Sequence, residues 1–107
     1  MANADDLRRI ALSLEGTEEA PHFDRASFRV ARIYCTLAPD KQTANLNLTP
    51  DQQLMKMETH PEAFQPVPNS FGTKGWTTII LPELTQADLT DALTLAWGNA
   101  QPRRKKG

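Results

Sequence analysis

Apolar residues recur with a helical period near the start of the chain. They occupy positions i, i+3, i+4 and i+7, and the residues concerned are Leu7, Ile10, Ala11 and Leu14. Asn3 precedes this stretch as a helix-capping residue, and Gly16 follows it where a helix would end. The pattern predicts an amphipathic helix over residues 4–14.

Two further helices are predicted from caps and apolar spacing. Thr49 followed by Pro50 and Gln52 has the spacing of a capping box, which starts a short helix running to about residue 58. Thr85 and Asp88 repeat that signal before a long apolar stripe, and Gly98 is placed to end the helix. The stripe consists of Leu89, Ala92, Leu93, Ala96 and Trp97.

Between the helices the pattern changes to a period of two. Residues 27–30 alternate, residues 33–37 are rich in β-forming residues, and the two segments are joined tightly. Residues 43–49 alternate apolar with polar, and residues 76–81 are rich in β-branched residues. These four segments are predicted strands. Pro61, Pro66 and Pro68 make residues 59–70 a loop or an edge segment, because proline cannot donate to a central ladder.

The order of elements predicts an α+β fold. We expect an antiparallel sheet of about four to five strands with two long helices packed on one face. The other face of the sheet would stay open, and strand alternation assigns to it Arg29, Tyr34, Thr36, Asn45 and Asn47. One domain is expected over residues 1–98, followed by a disordered basic tail over residues 99–107.

Charge is distributed unevenly along the chain. The 107 residues include 12 Lys and Arg against 13 Asp and Glu, a net charge of -1. Four of the basic residues lie within residues 103–107, which leaves eight basic against 13 acidic residues in the remainder. Bulk charge therefore argues weakly for nucleic-acid binding, which usually begins with a basic face.

The lone cysteine, Cys35, cannot form an internal disulfide, and we expect it to be a buried, unreactive thiol in a reducing cytoplasm. Neither a signal peptide nor a membrane-spanning segment is expected from the apolar pattern.

Several motifs together resemble the MmcQ/YjbR family of small bacterial proteins, over nearly the whole chain from about Leu7 to Trp97. An acidic pair precedes the first motif, and a capped Thr-Pro-Asp-Gln helix lies between the second and third. The motifs are Pro21-His22-Phe23, Ser27-Phe28-Arg29-Val30, Pro61 with Phe64 and Pro66, and Gly72-Thr73-Lys74-Gly75-Trp76. One departure is Phe71, where the family often has tryptophan. The resemblance implies a frataxin-like (CyaY-like) two-layer sandwich and DNA binding through a double wing of β-hairpins.

If the chain binds DNA as the resemblance implies, its exposed cations would contact phosphates and Tyr34 would stack on an unpaired base. The basic tail would assist, and backbone N–H groups of the Gly72–Gly75 turn could receive a phosphate. The candidate nucleic-acid-binding residues are Arg25, Arg29, Arg32, Tyr34, Lys41 and Lys74. Solvated surface charges are the alternative interpretation of the same arginines and lysines.

No catalytic residue, cofactor or metal site is predicted. The spacing of the Gly72–Gly75 turn matches neither of the two phosphate-binding motifs GxxxxGK[ST] and GxGxxG. The turn also precedes a strand, whereas those motifs open a helix. His22 is interpreted as a turn residue, His60 as the C-terminal residue of a helix, and Trp76 and Trp97 as core residues, with Phe71 the aromatic residue expected to be exposed.

Two alternative functions remain open. One is an adaptor that holds a protein or small ligand on the open sheet face. The other, by analogy with the frataxin-like fold, is weak metal binding by an acidic surface that could equally be a solvated face; its members are Asp5, Asp6, Glu15, Glu18, Glu19 and Asp24.

Overall fold

Four helices and six strands lie within residues 1–102, which are the part of the chain that the computed structural model describes. The helices are α1 (Ala4–Ser13), α2 (Pro50–Thr59), α3 (Ser70–Thr73) and α4 (Gln86–Asn99). The strands are β1 (Glu18–His22), β2 (Arg25–Arg29), β3 (Ile33–Leu37), β4 (Thr43–Asn47), β5 (Phe64–Pro66) and β6 (Trp76–Ile80). A turn of 3-10 helix, Leu81–Glu83, links β6 to α4. The α+β class is confirmed.

Side chains cap the three longer helices as their sequences predict. Asn3 accepts a hydrogen bond from the backbone N–H of Asp6 at 2.8 Å, and the Asp6 carboxylate accepts one from the N–H of Asn3. The same reciprocal boxes open α2 at Thr49 and α4 at Thr85. Each box satisfies N–H groups that have no partner within the helix, which explains why these helix starts were predictable.

The end of α4 differs from its prediction. Gly98 does not terminate the helix, which continues to Asn99. The Asn99 side-chain amide donates to the Asn47 carbonyl at 2.9 Å and to Gln52 at 2.8 Å, and Ala100 is fully buried. The domain therefore extends past residue 98, because tertiary contacts hold these residues. The rest of the predicted tail, residues 103–107, lies outside the described residues.

The sheet has six antiparallel strands in the order β1-β2-β3-β4-β6-β5, more than the four to five predicted. The two outermost strands account for the difference. β1 contains Pro21 and β5 ends at Pro66. Proline is compatible with an edge strand because its missing N–H is not needed on the outer side. The edge-segment interpretation within residues 59–70 is thereby confirmed for β5.

Helices cover one face of this sheet. α1 packs on α4, α4 contacts β3 and β4, and α2 lies against β5 and β6. A row of cross-strand partners on the covered face is fully buried, and it consists of Phe28, Cys35, Leu46 and Thr77. Among residues 1–102, every helix is too short or too polar to cross a membrane. The other face of the sheet, which we call the open face, is not covered by α1, α2 or α4.

A β-bulge in β3 corrects the predicted position of Tyr34. The register passes from Phe28 opposite Cys35 to Arg29 opposite Ile33, so that Tyr34 is the extra residue between them. The bulge turns its ring toward α1, where the Tyr34 hydroxyl donates to the Ala11 carbonyl at 3.3 Å and lies 2.9 Å from the Thr17 hydroxyl. Tyr34 is fully buried. The expectation that it lies on the open face and stacks on a base is wrong.

Alkaline titration should report this burial directly, because Tyr34 is the only tyrosine of the chain. Burial raises the pKa of Tyr34 to about 12, against the hydrogen bond from Thr17, which lowers it. We expect tyrosinate absorbance of the folded protein to appear with a midpoint near pH 12, and that of the denatured chain near about pH 10. A folded-state midpoint near about 10 would contradict the burial.

The sign of the linked stability change follows from the same pKa. A raised pKa means that the folded state favours the neutral phenol, so its stabilisation is complete below about pH 10 and is lost as the pH rises through about 12. The Tyr34→Phe variant, compared by denaturant unfolding, should therefore lose less stability over this pH interval than the parent.

Candidate functional site

A row of polar side chains crosses the open face from one side of the sheet to the other. Cross-strand partners share a face, and the pairings Ser27–Thr36, Thr36–Asn45, Asn45–Thr78 and Gln65–Thr78 link five strands. The Thr78 hydroxyl donates to Asn45 Oδ1 at 2.7 Å within this polar row. The predicted exposure of this side of β4 is confirmed, since Asn45 and Asn47 are half-buried there while Ala44 and Leu46 are buried beneath the helices.

A groove of about 300 Å³ opens on this face. Its apolar lining is formed by Ile33, Val67, Phe71 and Trp76, and its polar lining by His22, Thr36, Asn45 and Asn69. The volume lies at the lower end of the range of small-molecule pockets, about 300–1,000 Å³. An apolar wall with a few polar groups is suited to a small flat ring that also forms hydrogen bonds.

Two lining residues were missed by the sequence interpretation. Trp76 was expected in the core, but it pairs with Asn47 and lies half-buried in the groove. Residues 76–80 are apolar or β-branched on both faces, so alternation alone does not show which face is buried. His22 ends β1 as an exposed residue in edge contact with Phe23. Its position in the groove depends on how the whole sheet is arranged, and local residue patterns do not determine that arrangement.

Phe71 forms the rim of the groove and is 54% exposed, which confirms its predicted exposure. Asn69 caps the short helix α3 that carries it, accepting from the Phe71 backbone N–H at 2.8 Å. The Lys74 ammonium lies 5.7 Å from the centre of the Phe71 ring. An aromatic ring and a cation are thus held together at the entrance of the groove.

The two glycines next to this rim are required by close packing of the backbone. A Cβ atom on Gly72 would lie 1.9 Å from the Val67 carbonyl oxygen, and one on Gly75 would lie 2.0 Å from that of Leu48. Gly75 also has a φ of +111°, which disfavours any other residue. The Gly-x-x-Gly motif therefore fits α3 tightly against the chain around the groove.

The proposed phosphate cradle in this turn is not formed. The backbone N–H groups of Gly72, Lys74 and Gly75 donate to the carbonyls of Asn69, Phe71 and Gly72 respectively. These donors are satisfied inside the turn and are not directed to a common ligand position. The expectation of phosphate binding by these N–H groups is wrong.

Alanine at two glycines should give opposite changes in stability. Gly75→Ala should lower the free energy of unfolding by about 2 kcal/mol or more, because the methyl group overlaps the backbone at Leu48 and the φ is strained. Gly98→Ala should raise it by about 0.5–1 kcal/mol, because Gly98 is helical with open space around it. Denaturant unfolding measures both, and a Gly75→Ala protein as stable as the parent would contradict the packing.

Three of the predicted cations border the groove. Arg25 and Arg29 alternate with Ser27 on the open face of β2. Arg25 Nε donates to Thr36 Oγ1 at 3.0 Å, and its Nη2 donates to the Thr36 carbonyl at 3.2 Å. Arg29 is exposed and faces Ile33 across the strand pair. With Lys74 near the Phe71 ring, three cations are adjacent to residues that line the groove.

The other two cations lie elsewhere. Arg32 donates from Nη2 to the Asn99 carbonyl at 2.7 Å, which places its charge at the C-terminus of α4, where the helix dipole favours a cation. Lys41 occupies the turn between β3 and β4 with a φ of 62°. These two turns lie at opposite ends of β3, and neither Arg32 nor Lys41 lines the groove.

The acidic residues of the alternative metal site do not converge. Glu19 forms an ion pair with Arg8 at 2.9 Å beside α1, whereas the adjacent Glu18 is opposite Arg29 on the other face of β1. Asp6 is engaged in the α1 cap and lies 3.3 Å from Arg9. Within residues 1–102, no three His, Cys, Asp or Glu side chains are grouped to hold a metal ion.

Two structural interpretations are confirmed. Cys35 is fully buried, and burial raises the pKa of its thiol well above the usual range. A thiol in that state is a poor nucleophile, because the thiolate is the reactive form. His60 is the C-terminal cap of α2, with Nε2 3.7 Å from Asp88.

Comparison with known proteins identifies similar sequences and structures. The family model described as YjbR matches residues 12–99. The crystal structure of the Deinococcus radiodurans protein DR2400, with a DUF419 domain, superposes with a TM-score of 0.73 at 23% sequence identity. That match covers 87% of this chain and 74% of the other. At this level of sequence identity it shows similarity of fold alone. None of the curated proteins matches this chain.

Proposed function

The chain belongs to the YjbR family, and we propose that it is a binding module without enzymatic activity that holds single-stranded DNA on the open face of its sheet. The observation that carries this proposal is the groove lined by Trp76 and Phe71, with Lys74 near the Phe71 ring and the two β2 arginines bonded to or opposite other lining residues. A base would stack on these rings while the sugar-phosphate backbone follows the cations. A reducing cytoplasm, favoured by the lone cysteine, is part of the same proposal.

The distribution of charge supports an anionic ligand on this face. Residues 1–102 have a clear acidic excess. Many of the acids lie on the helices, among them Asp51, Asp88 and Asp91. On the open face of the strands, the charged positions are Glu18, Arg25 and Arg29, and Lys74 adds a further cation at the rim. The local charge of the open face is therefore positive although the domain is acidic.

The size of the groove favours a single strand over a duplex. A space of about 300 Å³ can receive one unstacked base but not a paired one. The hairpin ends are less suited to following a duplex, since Arg32 is held by the C-terminus of α4 and the tip of the β1–β2 hairpin carries Phe23 and Asp24. The CyaY-like sandwich and the double wing stay predictions from the family resemblance.

Removal of the rim aromatic should weaken binding. We expect Phe71→Ala to reduce affinity for a labelled single-stranded oligonucleotide by about fivefold or more, because base stacking on an aromatic residue contributes about 1–3 kcal/mol. Fluorescence anisotropy measures the affinity. Leu54→Ala is the matched control, since Leu54 is 56% exposed on α2 and Phe71 is 54% exposed at the groove. Equal loss in both variants, or loss in neither, would argue against the groove.

The salt dependence of binding should identify the phosphate contacts. For a single strand, log K falls with log salt by about 0.7 for each phosphate contact, so three groove cations give a slope near -2. Arg29→Gln should reduce the steepness by about 0.7, whereas Arg9→Gln, with the same change of charge on α1, should leave the slope nearly unchanged.

The basic residues 103–107 are expected to make the slope of the full chain steeper, and their deletion should flatten the slope without abolishing binding. Complete loss of binding on deletion would show that the folded body does not bind DNA. An adaptor role for a protein or small ligand on the open face would then replace this proposal.

A further inference from the structure

Three of the four polar side chains of the groove, all but His22, use their oxygen atoms inside the protein. Thr36 Oγ1 accepts from Arg25 Nε at 3.0 Å, and Asn69 Oδ1 accepts from the Phe71 backbone N–H at 2.8 Å. Asn45 Oδ1 accepts from the Thr78 hydroxyl at 2.7 Å. Within residues 1–102, the hydrogen bonds made by these three lining side chains all involve the oxygen. The lining therefore keeps the N–H and O–H groups of these side chains for a ligand.

In two of these three hydrogen bonds, the chemistry of the partner determines which group donates and which accepts. A guanidinium group and a backbone N–H can only donate, so Thr36 must accept from Arg25 and Asn69 must present its oxygen to Phe71. The Thr36 hydroxyl hydrogen and the Asn69 amide hydrogens then remain to be donated elsewhere. Arg25, which has no acceptor group, adds further donors next to Thr36. The polar part of the groove is consequently rich in donors.

A ligand that fills this groove must bring acceptors to the donors and a flat apolar ring to Trp76 and Phe71. Among the pyrimidine bases, thymine and uracil carry a carbonyl oxygen at ring position 4, where cytosine carries an amino group that donates. An amino group placed against these donors would leave both sides unpaired, which is costly once water is excluded. The two kinds of pyrimidine also differ at ring position 3, which is an N–H in thymine and uracil and an acceptor nitrogen in cytosine, so the selection rests on ring position 4 meeting the donors. Their size, charge and stacking surface are similar.

We propose that the groove recognises a base with a carbonyl-rich edge, of the uracil and thymine type, and discriminates against cytosine. This inference rests on the proposed function, because it assigns the base that the single strand would place between Trp76 and Phe71. The donors on Thr36 and Asn69 select the base, and the cations on β2 and α3 hold the backbone without regard to sequence.

The test compares short oligodeoxyuridine with oligodeoxycytidine of the same length, at neutral pH and fixed salt. The two strands have equal charge and differ only at ring positions 3 and 4, with no methyl group to complicate the comparison. Fluorescence anisotropy should show tighter binding of the deoxyuridine strand by about fivefold or more, the effect of one well-placed base contact.

A substitution at Asn69 tests whether the selectivity between the two bases arises in the groove. Asn69→Ser keeps an oxygen that can cap α3 and removes the amide donors, so the affinity ratio of the two strands should fall to half its parent value or less. Asn3→Ser is the matched control, because Asn3 caps α1 in the same way on the other side of the molecule. Its ratio should equal that of the parent protein, and circular dichroism should show both variants folded.

The outcomes separate the two proposals. Equal affinity for both strands, with weakening by Phe71→Ala, would overturn the base selectivity and leave DNA binding in place. Failure to bind either strand would overturn both. A preference for deoxyuridine that persists unchanged in Asn69→Ser would also overturn the inference, because the discrimination would then arise outside these donors.

Discussion

The pairing of β4 with both β3 and β6 is the constraint on which the remaining structure depends. It sets Asn45 between Thr36 and Thr78 on one face and Leu46 between Cys35 and Thr77 on the other. Because side chains alternate along a strand, this single register assigns every neighbouring position either to the helix-covered core or to the open face. A slip of one residue would expose Leu46 and bury Asn45. The groove and the core are therefore two results of the same set of backbone hydrogen bonds.

The helices protect only one side of the sheet, and the open side is stabilised by its own polar contacts. Arg25 donates to the Thr36 hydroxyl, and Thr36 is largely buried although no helix packs there. Thr78 holds the Asn45 side chain by a similar hydrogen bond to its oxygen. A polar face organised by such contacts has little freedom to rearrange, which suits a binding surface whose hydrogen-bonding groups must be oriented before the ligand arrives.

The helix layer and the open face of the sheet differ in charge as well as in packing. Acidic side chains cap α1 and α4, where the positive ends of the helix dipoles favour them, and Asp91 pairs with Lys56 between α2 and α4. Cations on β2 and α3 lie toward the groove. The overall charge of the domain is thus a poor guide to its binding chemistry, since many acidic residues lie on the helices while cations outnumber acids on the open face and its rim.

The sequence by itself determined the helix starts, the strand alternation and the burial of Cys35, because caps and periodic patterns act between residues a few positions apart. It also indicated that Phe71 is exposed, and it offered Arg25, Arg29 and Lys74 as candidate contacts for nucleic acid. Tertiary structure decided the rest. The bulge that turns Tyr34 into the core, the placement of Trp76 on the open face and the joining of Pro-containing β1 and β5 to the sheet edges all depend on which distant strand becomes the neighbour. Register between distant segments is set by the packing of the whole sheet against its helices, and local residue patterns do not encode it.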